Sequence, residues 1–485
     1  MHRSTFMGLN TALRGMLAQQ TSLDVTGQNI SNLSTEGYTR QRAELSTTTP
    51  WSSPSLMTQT TPGQIGTGVE VLRLERLRDQ YIDVNLRSQL GRQASDQTTV
   101  DQLTQVQSAF QEPGDNGLSK LMSNYYAAMD RLGTATSAGD AGARQAFAEA
   151  ADALTGGFRQ LDADLVQIQA QSNTRLNDSV TTINGITKNI ASLNADIRKA
   201  IDHNQQPNDL LDKRDLLMDS LSKLINFTST ELPTGEVTIT MGTSTPIQLV
   251  DPAVAGGSTN ITRADLDTGF SNGDISSGRV FADEQLWDPA GAAGTAGTGT
   301  IDTIRGKLDA LVNDIVTRTN AQSALGFDLT GAAGGDIFLA TGLTAGTFQL
   351  DTTNNIKSNP NLIAAASSWA GTGEPANGNN FVTLASTVRN ATQAALGNST
   401  FEAYYNQTVT GLGSMAQTAA NNLANSDVLV DMASARRDAV SGVSLDEEMT
   451  NMLKFQHAYN ASARVLTTMD DAIDQIINRM GRVGL

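Results

Sequence analysis

Apolar residues recur in two narrow stripes, one at each end of the chain. Near the start, Leu9, Met16, Leu23 and Ile30 stand seven residues apart, with Phe6 and Leu13 at the alternate position. Near the end, Met449, Met452, Tyr459, Ala463, Leu466, Ile473, Ile477 and Met480 keep a similar three-and-four rhythm. A stripe this narrow marks a helix that pairs with another helix. These seams are the expected assembly interface: each end buries its stripe against the other end or against neighbouring subunits.

The first helix is expected over residues 4–33, capped by Ser4 or Thr5 and ending around Ser31–Gly37. Residues 38–75 read as irregular chain with short strands, because Pro50, Pro54, Pro62, Gly63, Gly66 and Gly68 forbid a long helix. Helical patterns follow at Arg76–Phe110, Leu118–Leu132, Ala143–Ile201 and Asp209–Ile225, with a break at Glu112–Asp115. In the longest, Leu176, Val180, Ile183, Ile190, Leu193 and Ile197 keep a three-four spacing, which predicts a helical bundle.

The period changes near Asn226. Val237, Ile239 and Met241 alternate with threonines, Gly242–Pro246 turns, and Ile247–Val250 extends, which predicts a hairpin. The Gly- and Thr-rich stretch 226–300 reads as a small β domain with a loop at Gly291–Gly299. Ile301–Thr319 returns to helix, 326–375 mixes strands and loops, and Asn380–Met480 is mostly helical with a break around Ser441–Ser444. The expected fold class is mainly α with a β insertion, an elongated multi-domain rod with paired terminal helices. Its expected domains are 1–37 and 441–485 as terminal helices, 38–225 and 376–440 as the two parts of a helical bundle, and 226–375 as the insertion.

At 485 residues the chain has room for two to four domains. Only 5% of residues are aromatic and 17% charged, which suits long polar helices better than an aromatic-lined pocket. A net charge of −17 argues against nonspecific nucleic-acid binding and against docking on an anionic membrane. Residues 1–50 carry four Arg against three acids, and 421–485 six basic residues against nine acids; solvated faces account for the difference. With no cysteine, disulfides and thiolate metal sites are excluded. No run is long and apolar enough to span a membrane, and the N-terminus lacks the apolar core of a signal peptide. The chain is expected either to stay in the cytoplasm or to be exported by a route that reads another signal.

No constellation suggests catalysis, a cofactor or a metal. His2, His203 and His457 are scattered and lack ligand spacing. There is no nucleophile elbow, phosphate loop or zinc-binding helix motif, and Gly66-Thr-Gly68 is an isolated pair of glycines. Asp446, Glu447 and Glu448 follow Ser444 at a helix start, where acids favour the dipole and Ser444 with Glu447 forms an expected capping box. The Asp209–Asp215 cluster, with Lys213 and Arg214, reads as ion pairs along one helical face. Asp283–Asp288 lacks the order of a calcium loop and reads as solvated. In the turn Asn29–Gly37, Asn and Ser can bond to backbone groups and end the helix, while Gly37 permits reversal.

The stretch Thr26–Tyr38, with Asn29, Ile30, Asn32, Gly37 and Tyr38 in place, resembles the N-terminal signature of the flagellar axial proteins of rod, hook and hook-associated type. Ser441–Met449, continued by Gln456, Ala458, Tyr459, Ala461, Ala463 and Arg464, resembles that family's C-terminal signature. The ends are common to the whole family. The middle, at Ile65–Val69, Asp209–Asp215, Gly378–Phe381 and Phe401–Tyr405, resembles the hook-associated branch that stands at the hook–filament junction. Ser323 departs from the histidine expected there in relatives. The resemblance implies a structural, non-enzymatic subunit without cofactors, exported unfolded through the flagellar type III channel without a cleaved signal. It implies self-association in a helical ring, with hook protein and a second hook-associated protein as neighbours and an export chaperone on the C-terminal helix. Another axial protein, hook or rod, and an adhesin or hydrolase displayed by 226–375 are the competing readings.

Overall fold

The computed structural model describes residues 7–50, 66–114, 117–134, 139–287, 299–369 and 377–475. In chain order its main elements are α1 (Met7–Ser31), β1 (Gln41–Thr47), β2 (Val69–Arg76), α2 (Gln80–Phe110), α3 (Leu118–Gly133), α4 (Ala141–Asp202) and α5 (Asn208–Ser222). Then come β3 (Thr228–Glu231), β4 (Val237–Met241), β5 (Ile247–Val250), α6 (Arg263–Ser271), α7 (Arg279–Trp287), α8 (Thr300–Ser323), α9 (Asn379–Ala385), α10 (Phe401–Ser441) and α11 (Leu445–Asp474). The expected mainly helical class with small antiparallel sheets is what forms. Phe6, Ile477, Met480, Ile65, the proposed caps Ser4 and Thr5, and residues 291–298 of the expected glycine loop lie outside the described residues.

The chain divides into two compact units. One comprises residues 1–91, 183–261 and 427–485, and the other 92–182 and 262–426. The expected insertion 226–375 is therefore shared between them. Its strands end at Val250, and α6 and α7 occupy much of the remainder of 226–300. The third strand, β3, was invisible to periodicity because its sequence Thr-Ser-Thr-Glu has no apolar member. Residues 326–369 form turns and isolated bridges, such as Phe327 with Ala366 and Phe338 with Leu350.

In the first unit, α1 and α11 pair antiparallel. A Cβ on Gly8 would meet Met469, one on Gly15 would meet Ser462, and Asn29 bonds Glu448. The buried stripe of α1 is Ala12, Ala18, Ser22, Val25, Thr26 and Asn29, mostly small residues. This displaces the expected seam: Leu9, Met16, Leu23 and Ile30 are half-buried and Leu13 is exposed. Small residues let the helix axes approach, leaving larger side chains at the flanks. On α11 only Glu448 is buried; Met452, Tyr459, Ala463, Leu466 and Ile473 are half-buried and Met449 is exposed.

The same unit contains two small sheets. β1 and β2 pair antiparallel from Gln41 with Arg76 to Thr47 with Val69, with an irregularity at Glu44/Leu45. The β3–β4–β5 sheet buries Val237, Ile239 and Met241 on one face. Helix asparagines act as strand partners for loose backbone. Asn194 donates to Val237 O at 2.8 Å and accepts from Val237 N at 3.1 Å. Asn184 does the same for Ile261 at 2.9 and 2.8 Å. An amide side chain can donate and accept at once, so each asparagine satisfies both groups of a buried peptide segment.

The second unit holds the large core. Phe110, Met122, Tyr125, Phe147, Phe158, Leu165, Leu311, Phe338, Phe348, Phe381 and Tyr405 are buried in it. Phe147 and Phe381 meet edge to face at 4.8 Å, and Phe338 lies 4.9 Å from Phe348. Thus the few aromatics are concentrated in packing, the use with the largest apolar gain per residue. Ser323 is buried and donates to Gly335 O at 2.8 Å, which accounts for a small hydroxyl residue at this position.

Candidate assembly site

The helix signature ends in a polar hub within the first unit. Asn29 sits on the last full turn of α1 and is 1% exposed. Its Nδ2 donates to Gln41 O at 2.8 Å and to Glu448 Oε2 at 3.0 Å. Its Oδ1 accepts from Gln41 N at 3.0 Å and from the Tyr38 hydroxyl at 2.8 Å. Both donors and both lone pairs are used, the full capacity of an amide. One side chain therefore ties together α1, the start of β1 and the start of α11.

The other signature residues serve this arrangement. Asn32 Nδ2 donates back to Gln28 O at 3.0 Å and Asn32 Oδ1 accepts from Thr35 Oγ1 at 3.1 Å, closing the helix end. Gly37 has φ +77°, a left-handed conformation in which an L side chain would be strained. Burial, reinforced by Asp212, Asp209 and Glu448, raises the Tyr38 hydroxyl well above its ordinary pKa and keeps it a donor to Asn29.

Glu448, 2% exposed, is gripped from the other side by Arg40, whose Nε and second guanidinium nitrogen lie 2.8 and 2.7 Å from Oε1. Arg40 also reaches Glu447 at 2.6 Å. The expected capping box at Ser444 therefore does not form. Ser444 makes no side-chain cap bond, because a charge-assisted bond to Arg40 is the stronger use of the Glu447 carboxylate.

A second cluster adjoins the first. Asp212 accepts from Thr39 N at 3.0 Å and pairs with Arg76 at 2.8 Å. Asp215 pairs with Arg76 at 3.0 Å, with Arg87 at 3.2 Å, and with Arg78. Asp219 bridges Arg87 at 2.7 Å and Arg437 at 2.6 Å. Burial alone would raise Asp215, but the guanidiniums of Arg78, Arg76, Arg87 and Arg214 outweigh it and hold the carboxyl below its ordinary pKa. The Asp209–Asp215 segment thus sends its charges to β2, α2 and the turn before β1. Ion pairs along its own face, as expected from spacing, are not its main use. Arg214 points to Gly235 O at 2.6 Å and Asn194 Oδ1 at 3.2 Å, and burial lowers its pKa. Lys213 is exposed.

These groups wall a polar cleft of about 670 Å³ that includes Asn32–Arg40, Asp215, Asp219, Arg437 and Ser441–Ser444. Its cations Arg40, Arg78 and Arg437 are each engaged by carboxylates. The hub is therefore a joint, built to fix segments in place. Among the described residues no group of three or more His, Asp or Glu could hold a metal ion, and no helix is long and apolar enough to cross a membrane.

In the second unit the expected solvated loop at Asp283–Asp288 is instead part of α7, with Asp288 outside the described residues. Asp283 and Glu284 are buried. Asp283 accepts from Arg175 at 2.9 Å and from Gln102 at 2.5 Å, and Glu284 pairs with Arg263. Sequence reasoning missed both because the partners lie far away in the chain.

Around the terminal helices, apolar side chains remain uncovered. Leu13 and Leu17 on α1, and Leu445, Met449, Leu453, Val465 and Met469 on α11, are exposed, Leu17 and Leu453 by half. On the part of α10 in this unit, Val428, Leu429, Met432 and Val440 are exposed as well.

Comparison with known proteins matches the ends and the middle of the chain separately. Residues 103–338 match the family model described as the flagellar hook-associated protein FlgK helical domain. Residues 9–39 match the model for flagella basal body rod protein, and 438–480 match the flagellar basal body rod FlgEFG protein C-terminal model. Flagellar hook-associated protein 1 of Bacillus subtilis is 29% identical, over 99% of both chains. The protein of that name from Salmonella typhimurium is 24% identical, over 97% of this chain and 99% of its own. The fold is similar to the flagellar hook junction protein FlgK from Burkholderia pseudomallei, with a TM-score of 0.57 at 16% identity, over 74% of this chain and all of the other. The rod-type models meet the two ends of the chain, whereas the helical model and the full-length relatives span the middle, so over nearly its whole length the chain is similar to flagellar hook-associated protein 1.

Proposed function

We propose that this chain is a structural subunit of the bacterial flagellum that joins hook to filament and allows the filament to assemble. The observation that carries this is the α1–α11 pair, which buries mainly small residues and leaves large apolar ones exposed on both helices. A monomer does not benefit from contiguous exposed apolar surface, and such surface marks an interaction site. Neighbouring copies supply the missing cover, and head-to-tail contacts between unlike faces extend a helical ring. The predicted interface is Leu9, Leu13, Met16, Leu23, Ile30, Met449, Met452, Tyr459, Leu466 and Ile473, with Phe6 and Ile477 beyond the described residues. Asn29, Asn32, Gly37 and Tyr38 set the shape of the turn beside it.

Its partners are further copies of itself, hook protein on one side and a second hook-associated protein on the other. The chain reaches its extracellular position by export without a cleaved signal peptide, with a chaperone covering the C-terminal helix beforehand. It performs no catalysis. The rod-type matches at both ends favour a second reading, a rod or hook subunit; the helical middle, matched over residues 103–338, weighs against it.

Electron microscopy of cells lacking the gene, with a blot of the medium for flagellin, tests the assignment. Complete hooks without filaments, and flagellin lost to the medium, are expected. Absent hooks would move the protein to the rod or hook, and intact filaments would remove the junction role.

A further inference from the structure

The apolar pattern of the terminal helices cannot by itself choose how they align. Leu9, Met16, Leu23 and Ile30 repeat every seven residues, and so do Met452, Tyr459, Leu466 and Ile473 on the partner helix. Sliding one helix by a heptad brings like residues onto like positions. The contact face of α1, with Gly8, Ala12, Gly15, Ala18, Ser22, Val25 and Thr26, is built mostly of small side chains that offer little resistance to the slide. Yet one alignment is adopted: the facing pairs Gly8 with Met469, Gly15 with Ser462 and Asn29 with Glu448 have residue numbers that all add to 477.

We propose that Asn29, Glu448 and Arg40 form a register lock that selects this alignment of the chain's two terminal helices. Glu448 is the one buried residue among those described on α11, so a slip that keeps its carboxylate buried removes the partners that offset its desolvation, a cost that no other contact of that helix has. In register, Asn29 takes one carboxylate oxygen and Arg40 the other. After a one-heptad slip in one sense, Glu448 faces Ser22, whose hydroxyl already donates to Ala18 O at 2.9 Å. A slip in the other sense carries it past Ser31, the last residue of α1. Both leave a carboxylate without the donors it now has, and both cost the Asn29 amide its bond to Glu448, while its bonds to Gln41 and Tyr38 remain. Buried polar residues select register in coiled coils by this unequal penalty.

The absence of native cysteine makes the test direct. In dilute, monomeric full-length protein, the pair Gly15→Cys with Ser462→Cys reports the adopted register under mild oxidation. The pair Gly15→Cys with Met469→Cys reports a one-heptad slip. With the lock intact, the first pair closes and the second stays open. Glu448→Ala is expected to lower the ratio of in-register to slipped cross-link by about tenfold or more, the worth of a charge-assisted hydrogen bond. Asn29→Asp sets two carboxylates face to face and lowers it similarly. Adding Glu448→Gln to Asn29→Asp reverses the direction of the bond and restores the ratio. An unchanged ratio in either single variant, loss of both cross-links in Glu448→Ala, or a double variant no better than Asn29→Asp alone would overturn the lock.

Discussion

Replacing Asp215 by alanine probes the ionic cluster at its most connected point. The carboxylate faces Arg76, Arg78 and Arg87 at once and is only 14% exposed at the side chain. Removing one partner of a buried ion pair costs about 3–5 kcal/mol when the other is left alone. Here each arginine keeps one carboxylate: Asp212 for Arg76, Asp83 for Arg78 and Asp219 for Arg87. The expected cost is therefore smaller, roughly 2–3 kcal/mol, set mainly by repulsion among under-neutralised guanidiniums. Because the partners of Asp215 among the described residues all lie in the first unit, hydrogen exchange resolved by peptide is the appropriate assay. Peptides covering β1, β2 and α5 should exchange about 30- to 150-fold faster where they open with that unit, while those covering α3 and α9 keep their rates. Lys213→Ala, an exposed change one turn position away, should stay within about 0.5 kcal/mol. A shift below about threefold for Asp215→Ala, or equal acceleration in both units, would refute the reasoning.

Other outcomes follow from the same geometry. Asp215 has a folded pKa below its ordinary value, so the unfolded chain takes up its proton first as pH falls; the stabilisation is present above about pH 4 and lost through the acid range below it, which an acid titration followed by exchange in β1 and β2 would check. Leu17→Lys should alter monomer stability by less than about 0.5 kcal/mol, since the side chain is half exposed, yet block assembly; normal filaments in a complemented strain would contradict the interface. Charged substitutions at Leu466 and Ile473 should abolish assembly while the β3–β4–β5 sheet keeps its exchange protection. Phe381→Ala should cost about 3–5 kcal/mol in the second unit, because the ring is fully buried against Phe147; a calorimetric transition unchanged in that unit would count against the core described.

Uncovered apolar surface and a tightly bonded hub lie close together in the first unit, and they have opposite roles. The hub satisfies its polar groups internally, so it can hold the helix pair in one geometry in the isolated chain. The flanking leucines and methionines are left for other molecules. A joint that is rigid before assembly limits the entropy lost when neighbours arrive.

Local pattern determined much of this protein. The heptad stripes announced both terminal helices and their pairing, helical patterns between breakers located α2 to α5 with a three-four spacing in α4, and alternation followed by a turn found β4 and β5. These signals survive because helix and strand periods are properties of a few adjacent residues. Tertiary structure alone decided which stripe of α1 is buried: the axes approach over Ala12, Ala18 and Ser22, so the larger seam residues stand at the edges. It also decided where charges go. Glu447 could cap its own helix or reach Arg40, and Asp215 could pair with a neighbour in sequence or with three arginines more than a hundred residues away. Such choices are competitions between partners, settled only when the folded chain has brought the stronger donor within reach and removed the water that would otherwise level them.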